Sequence, residues 1–127
     1  QEFRSRSGIK CEFHSNVSNI ELDRKSATAF FRILQETLIN IGHHSNASHV
    51  RISLEEKDGI LIMEVSDNGK GITEAEIDDV KSFGLLGIKE RALLMGGEVE
   101  INGAPGQGTT IILRVSLADI RLPGART

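Results

Sequence analysis

Apolar residues recur at helical spacing in two segments of the chain. The first segment follows Asp23 and Ser26, either of which can cap a helix that runs to about His44. The apolar stripe of this helix consists of Ala27, Phe30, Phe31, Leu34, Leu38 and Ile41. A second helix is predicted from about Leu85 to Met95, and Gly96-Gly97 ends it as a C-cap.

Strand patterns follow the first helix. Val50, Ile52 and Leu54 alternate with polar residues, which is typical of a half-buried strand. Asp58-Gly59 is a signal for a tight hairpin. The return strand from Ile60 to Ser66 is apolar on both faces for most of its length, so we expect it at the centre of a sheet.

Three further segments complete the predicted fold. Ile9 to Phe13 forms a short strand, and Glu98 to Asn102 pairs with Thr110 to Leu117 as a second hairpin. A loop with a short helix covers Thr73 to Ser82. The order strand, helix, hairpin, helix, hairpin predicts an α/β two-layer sandwich, with about three helices on one face of a mixed, mostly antiparallel sheet.

Length, charge and cysteine content narrow the class of protein. The 127 residues suit a single domain, which we place at residues 9–117, between a disordered start at 1–8 and a tail at 118–127. A net charge of -3 argues against nucleic-acid binding. The single thiol of Cys11 excludes an internal disulfide and a zinc site of the usual cysteine spacing, and indicates a reducing cytoplasm. No apolar run approaches the ~20 residues that span a bilayer.

The first helix also carries a cluster of polar residues. Because each residue turns a helix by about 100°, Glu36, Asn40, His43 and His44 fall within roughly a third of its circumference, opposite the predicted apolar stripe. A carboxylate and an amide at this spacing supply oxygens for Mg²⁺, and Glu36 has the chemistry of a general base. For this helix alone, a solvated polar face is the simpler interpretation.

Asp67 follows the predicted central strand. Side chains alternate along a strand, so Asp67 points the same way as Val65, into apolar surroundings where a carboxylate needs a partner. Such an acceptor suits the amino proton of a purine base, and Asn68-Gly69-Lys70-Gly71 lets the backbone approach a flat ligand. A simple turn is the alternative. The P-loop and dinucleotide-binding patterns both fail here.

A second glycine cluster opens the second helix. Gly84-Leu-Leu-Gly87 leaves free N–H groups that favour phosphate. The preceding stretch, Thr73 to Ser82, has four acidic residues and is consistent with a mobile lid. Thr109 follows the glycines at 106 and 108, where a plain hairpin turn explains the sequence as well as a ligand role does.

Taken together, these segments resemble the ATPase fold shared by histidine kinases, gyrase, Hsp90 and MutL, over about Ile9 to Leu117. Four motifs carry the resemblance: an N-box at Gln35–His44, a G1 box at Asp67–Gly71, a G2 box at Gly84–Ala92 followed by Gly96-Gly97, and Pro105–Thr109. The form Gly-Leu-x-Gly-Ile-Lys-Glu-Arg-Ala is most similar to NarX/DesK-type sensor kinases, which pair with NarL-type response regulators.

The resemblance implies that the chain binds ATP with Mg²⁺ through the N-box. Asn40 would bind the Mg²⁺ that bridges the ATP phosphates, and Glu36 would act as a base or polarise the phosphate acceptor. His43 and His44 would contact the nucleotide, although the family usually has Lys or Arg at the position of His43.

The resemblance also assigns roles in the glycine-rich motifs. Asp67 would hydrogen-bond to the adenine amino group, Gly69 and Gly71 would shape the pocket, and Thr109 would support adenine through water. The residues expected to bring backbone N–H groups to the phosphates are Gly84, Leu85 and Gly87.

The partners that the resemblance implies are a dimerisation domain of the same kinase, which carries the acceptor histidine, and a NarL-type response regulator. None of the four histidines lies in an acceptor-like segment, so the isolated chain should bind ATP but not label itself on histidine. The resemblance also implies a monomeric isolated domain within a homodimeric full-length kinase, for which an inner-membrane anchor is an open alternative. Two alternatives share the fold: an anti-sigma-factor serine kinase and a nucleotide-gated interaction module without phosphoryl transfer. Glu90-Arg91-Ala92 argues against the first, and intact Glu36, Asn40 and Asp67 argue against the second.

Overall fold

A computed structural model describes residues 2–4, 10–17, 22–40, 47–71, 73 and 85–120. In this part of the chain, six strands form one sheet in the order β1-β2-β3-β4-β6-β5. The strands are β1 (Glu2–Arg4), β2 (Lys10–Ser15), β3 (His49–Lys57), β4 (Ile60–Asp67), β5 (Glu98–Gly103) and β6 (Thr109–Ser116). The helices are α1 (Arg24–Asn40), α2 (Leu85–Leu94) and the short α3 (Leu117–Ile120).

The sheet is mixed and mostly antiparallel, as predicted. β2 and β3 are parallel, whereas the other four strand pairs are antiparallel. β4 lies between β3 and β6, which confirms the central position expected of a strand that is apolar on both faces. The turn between β3 and β4 places Asp58 at φ 53° and Gly59 at φ 78°, the pair of left-handed residues that a tight type I′ hairpin requires.

Both long helices cover the same face of the sheet. The inward residues of the central strands are buried: Val50, Ile52, Leu61, Met63, Val65, Ile111, Leu113 and Val115. Ala29 and Ile33 of α1 and Leu85, Ile88 and Ala92 of α2 belong to the same hydrophobic cluster as most of these strand residues. The two-layer sandwich predicted from the sequence is therefore confirmed.

Helix α1 is rotated relative to the predicted apolar stripe. Its buried residues are Ser26, Ala29, Ile33 and Thr37, whereas Phe31 is 64% exposed and Ala27 is also exposed. Phe30, Leu34 and Leu38 pack against the edge of the core, and Ile41 lies outside the described residues. The predicted stripe is therefore confirmed at Phe30, Leu34 and Leu38 and wrong at Ala27 and Phe31.

The rotation changes the surroundings of the polar residues on α1. Glu36 follows buried Ile33 by three residues, and Asn40 follows buried Thr37 by three, so both flank the buried row. Both residues are half-buried. They lie beside the core-facing surface rather than opposite it, which corrects the predicted arrangement.

The ends of both long helices match their predicted caps. The Asp23 carboxylate accepts a 2.7 Å hydrogen bond from the Ser26 N–H at the start of α1. At the end of α2, Gly96 adopts φ 69°, and the Gly97 N–H donates to the Ala92 carbonyl at 2.8 Å. This is a Schellman arrangement, which confirms the C-cap expected from Gly96-Gly97.

Regular structure extends beyond the predicted limits of the domain. Glu2–Arg4, assigned to a disordered start, forms β1 and pairs antiparallel with β2. Residues just after Leu117, assigned to the tail, continue in α3. Apart from Thr73, the predicted lid at Thr73 to Ser82 lies outside the described residues.

Candidate functional site

Asp67 is the last residue of β4 and is held by two backbone amides. The Gly69 N–H donates to Asp67 Oδ1 at 2.7 Å, and the backbone of Thr109 also hydrogen-bonds to this carboxyl group. Burial raises the pKa of Asp67, while the bonds from Gly69 and Thr109 act in the opposite direction. A carboxylate has about four acceptor positions, so two amide bonds leave capacity for a ligand donor.

Glycines allow two turns to pack backbone to backbone around Asp67. Gly108 is buried with φ 84°, and a Cβ atom there would collide with the Asp67 carbonyl. Gly71, at φ 83°, is limited in the same way by the Ala104 carbonyl. The Gly106 N–H donates to the Lys70 carbonyl at 2.7 Å and ties the two turns together.

Four of the predicted site residues thus come together: Asp67, Gly69, Gly71 and Thr109. Gly108 belongs to the same arrangement but was not among the predicted site residues. The signal that could have identified it is its position two residues after Gly106 and directly before Thr109, where the turn between β5 and β6 enters a strand.

Asn68 connects the same turn to the start of β3. Its Oδ1 accepts hydrogen bonds from the Ser48 and His49 N–H groups, both at 3.0 Å. Its Nδ2 donates to Ser48 Oγ at 3.0 Å, and its own N–H donates to the His49 carbonyl at 3.2 Å. The sequence predicted a turn at Asn68, either beside a flat ligand or as a simple turn, but not these partners, which are about 20 residues away along the chain.

The predicted metal-binding pair lies at the C-terminal end of α1. Glu36 and the final helical residue, Asn40, are four residues apart on one side of the helix. The described residues contain no cluster of three His, Cys, Asp or Glu side chains suited to a metal. One carboxylate and one amide fit Mg²⁺, which takes few protein ligands and completes its shell with phosphate and water oxygens. His43 and His44 lie outside the described residues.

The start of α2 contains the remaining predicted phosphate-binding residues. Gly84 lies outside the described residues. The Leu85 side chain is 2% exposed and belongs to the core, so only its backbone is available to a ligand. At Gly87, a Cβ atom would lie 2.8 Å from Arg91 Nη1, so the Arg91 guanidinium occupies the space that the missing side chain leaves.

Comparison with known proteins places these residues in a family context. The family model described as histidine kinase-, DNA gyrase B-, and HSP90-like ATPase matches residues 25–119. The chain is 35% identical over 115 residues to the signal transduction histidine-protein kinase/phosphatase DegS of Brevibacillus brevis, covering 91% of this chain and 30% of the relative. It is 32% identical over 119 residues to the oxygen sensor histidine kinase NreB of Staphylococcus carnosus, covering 94% and 34%. The chain thus spans about a third of the length of these relatives.

A solved structure has the same fold. The blue-light activated histidine kinase EL346 of Erythrobacter litoralis superposes with a TM-score of 0.76 at 21% identity, over 89% of this chain and 36% of that one. Within the described ranges, no helix has the length and apolar character needed to cross a bilayer.

Proposed function

The chain belongs to the family of histidine kinase-, DNA gyrase B- and HSP90-like ATPases, and from this membership we propose that it is the ATP-binding catalytic domain of a sensor histidine kinase. The γ-phosphoryl group of ATP would pass to a histidine on a dimerisation domain of the same kinase, and from there to a response regulator of the NarL type. The domain would work in the cytoplasm as part of a homodimeric kinase. The names of DegS and NreB, both histidine kinases, support this choice within the family.

The observation that carries the proposal is the environment of Asp67. Its carboxyl group lies at the end of the central strand, and burial raises its pKa. Adenine has an exocyclic amino group that donates a hydrogen bond, and the ionised carboxylate accepts only. Partial removal from water strengthens such a charge-assisted bond. Gly69, Gly71 and Thr109 would form the walls and the water-binding side of the adenine pocket.

Helix packing supports a phosphate site at the other end. The groove between α1 and α2 is lined by the N-terminal half of α1 and by Arg91 and Leu94 at the end of α2. In such an antiparallel arrangement, Glu36 and Asn40, on the C-terminal half of α1, would lie toward the N-terminus of α2. The backbone N–H groups of Gly84, Leu85 and Gly87 would then face the phosphates, where a helix N-terminus favours negative charge. His43 and His44, next along the N-box, would reach the same phosphates.

The chemistry then rests mainly on positioning. Asn40 would hold Mg²⁺, which when bound neutralises charge on the phosphates. Glu36 would orient the acceptor imidazole and take its proton as the nitrogen–phosphorus bond forms. The bond between the γ-phosphorus and the bridging oxygen breaks at the same time, and ADP leaves with that oxygen.

The test is calorimetric titration of Mg²⁺–ATP into the wild-type chain, Asp67→Asn and the matched control Asp58→Asn. Asp58 lies in the exposed hairpin turn at φ 53°, a conformation that Asn adopts readily. A hydrogen bond to a charged group contributes about 1.5–3 kcal/mol, so Asp67→Asn should bind ATP about 10- to 100-fold more weakly. The control should bind like the wild type.

A second nucleotide sharpens this test. GTP presents a carbonyl where ATP presents the amino group, so the wild-type chain should prefer ATP, and Asp67→Asn should largely lose the preference. Equal ATP binding by Asp67→Asn and the wild type would show the adenine assignment to be wrong. Equally tight binding of ATP and GTP by the wild-type chain would also show the adenine assignment to be wrong.

Phosphoryl transfer needs its own experiment. A purified dimerisation domain of a related sensor kinase, added in trans with radiolabelled ATP, should acquire acid-labile phosphohistidine. Glu36→Gln should slow this transfer about 10²-fold or more while leaving ATP affinity near the wild-type value. ATP binding without any transfer to histidine would favour a nucleotide-gated interaction module, and acid-stable phosphoserine on an anti-sigma partner would favour the serine kinase.

A further inference from the structure

A groove between α1 and α2 concentrates positive charge on a chain whose net charge is negative. Its lining includes the cations Arg24, Lys25, Arg32 and Arg91 and no acidic residue. The whole chain has a net charge of -3. Within the described part of the chain, the ion pairs involve other residues, so these four cations face the groove without an anionic partner. The groove is therefore a local site of positive potential.

Two of these cations occupy positions that disfavour them locally. Arg24 and Lys25 lie in the first turn of α1, which contains no acidic residue. The helix macrodipole makes cations unfavourable at a helix N-terminus. The preceding carboxylate, Asp23, is engaged in capping the Ser26 N–H. Arg24 and Lys25 therefore oppose the preference of a helix N-terminus for negative charge without a visible gain in stability, which indicates that their charges serve a function.

The missing side chain at Gly87 leaves room for Arg91 at the wall of the groove. Its Nη1 atom lies close enough to Gly87 that a Cβ atom there would be 2.8 Å away. The guanidinium group therefore lies back along α2, one turn toward the N-terminus, as helix side chains do. The planar donor fork of Arg91 therefore lies beside the groove, where its geometry suits a carboxylate.

Apolar surface lies between and beside the cations. Ala29 and Leu94 line the groove, and Leu94 is 58% exposed. An adjoining depression shares Thr28 and Arg32 with it and adds Phe31, which is 64% exposed. The surface thus has an apolar floor and a basic rim, and a furrow between two packed helices accepts the side-chain ridge of a third.

We propose that this groove, defined by Arg24, Lys25, Ala29, Arg32, Arg91 and Leu94, docks an acidic amphipathic helix of a partner protein. The apolar stripe of that helix packs on Ala29 and Leu94, and its Asp and Glu side chains pair with the basic rim. A flat anionic membrane would meet the rim but not the concave floor. The groove uses none of the residues assigned to the nucleotide site, although the guanidinium group of Arg91 lies against Gly87.

The test uses a synthetic helix of about 18 residues in which Leu repeats every three or four positions and Glu fills the opposite face. A matched peptide replaces every Glu with Gln. Binding is measured by fluorescence anisotropy and located by amide chemical shifts. The Glu peptide should bind the wild-type chain and the control Lys57→Glu alike, because Lys57 is exposed at the end of β3. The Glu peptide should bind Arg32→Glu about tenfold more weakly than it binds the wild type, or more weakly still. The Gln peptide should lose a similar factor in binding to the wild-type chain.

Mg²⁺–ATP titration of Arg32→Glu, expected to match the wild type, shows that the variant is folded. If Arg32→Glu is not folded, the milder variant Arg32→Gln replaces it, and its affinity for the Glu peptide should fall severalfold. The proposal fails if the Glu peptide does not bind, if Lys57→Glu loses as much affinity as Arg32→Glu, or if the shifts fall outside α1 and α2. It also fails if anionic phosphatidylserine vesicles bind at the groove and the peptide does not displace them.

Discussion

At the residue scale, Asp67 links stability to pH. Burial raises the pKa of its carboxyl group in the folded chain above the unfolded value. The folded state then binds more protons than the unfolded state between these two pKa values, so stability falls as pH rises through that range. Above the folded pKa, this loss of stability is complete. A ligand that donates a hydrogen bond to the ionised carboxylate offsets the lost stability.

Asp67→Asn should therefore separate folding from binding. Because an amide oxygen can still accept the Gly69 N–H, we expect the variant to be at least as stable as the wild type at neutral pH. It should also lack the fall in stability that the wild type shows above pH ~4. Urea unfolding from pH ~4 to pH ~8, with Asp58→Asn as the control, measures both effects. A variant with lower stability and an unchanged pH profile would contradict the assigned cause.

Gly108 should be far less tolerant of a side chain than its neighbour Gly106. Both have positive φ, at 84° and 77°, but a Cβ atom at Gly106 meets nothing within 4 Å, whereas one at Gly108 meets the Asp67 backbone. Gly106→Ala should cost about 1–2 kcal/mol of unfolding free energy, and Gly108→Ala more than about 3 kcal/mol. Urea unfolding distinguishes them. Equal losses would mean that the contact with Asp67 relaxes easily.

The sequence predicted some of the site residues better than others. Asp67 could be identified because side chains alternate along a strand, so its carboxylate faces the same side as the apolar residues before it. The position of Gly108 between Gly106 and Thr109 marks it as a turn glycine, but its contact with Asp67 could not be predicted, and neither could the contact of Asn68 with Ser48, because these partners lie far away along the chain. Local patterns indicate which way a side chain points, but not which distant backbone packs against it.

At the scale of single elements, α1 shows why its buried face was predicted only in part. A hydrophobicity pattern counts Thr37 and Ser26 as exposed, yet both are buried. The Thr37 hydroxyl donates to the Ile33 carbonyl at 2.8 Å and so enters the core with its hydrogen bond made. Helix α1 packs closely against α2, which buries the small residues Ser26 and Ala29 and leaves Phe31 exposed.

The cap of α1 gives a prediction at the same scale. The Asp23 carboxylate satisfies the Ser26 N–H, so Asp23→Ala should lower the unfolding free energy by about 1 kcal/mol. Asp23→Asn keeps a capping oxygen and should stay close to the wild type. Urea unfolding of the three proteins measures the difference. A loss of the same size in both variants would assign the stabilisation to charge next to the basic first turn rather than to the capping bond.

At the scale of the whole molecule, the layering followed from the sequence, but the strand order did not. One apolar face on each helix and a central strand apolar on both faces require helices packed on a sheet. The neighbours of β2 are set by pairing with β1 and with β3, which is distant in sequence. No local pattern contains that pairing.

Nucleotide binding should stabilise the molecule as a whole. A ligand that binds only the folded chain, at about 100 times its Kd, adds about 2.7 kcal/mol to the unfolding free energy. Mg²⁺–ATP should therefore shift the thermal midpoint of the wild type upward by several degrees. At the same ATP concentration, the thermal midpoint of Asp67→Asn should rise much less, and that of Asp58→Asn should rise as much as that of the wild type. Differential scanning calorimetry measures these midpoints. Equal shifts in all three proteins would place the nucleotide away from Asp67.

The parallel pairing of β2 with β3 has a consequence for how the chain folds. The β3–β4 hairpin closes across a two-residue turn at Asp58 and Gly59, whereas β2 must find β3 across residues 16–48, which contain α1. Loop closure of that length is slow compared with hairpin formation. The β3–β4 hairpin should thus form early in folding, and β2, with β1 at its outer edge, should pair with it later. The same edge should be the first to open in the native state, so its amides should exchange hydrogen sooner than those of the central strands.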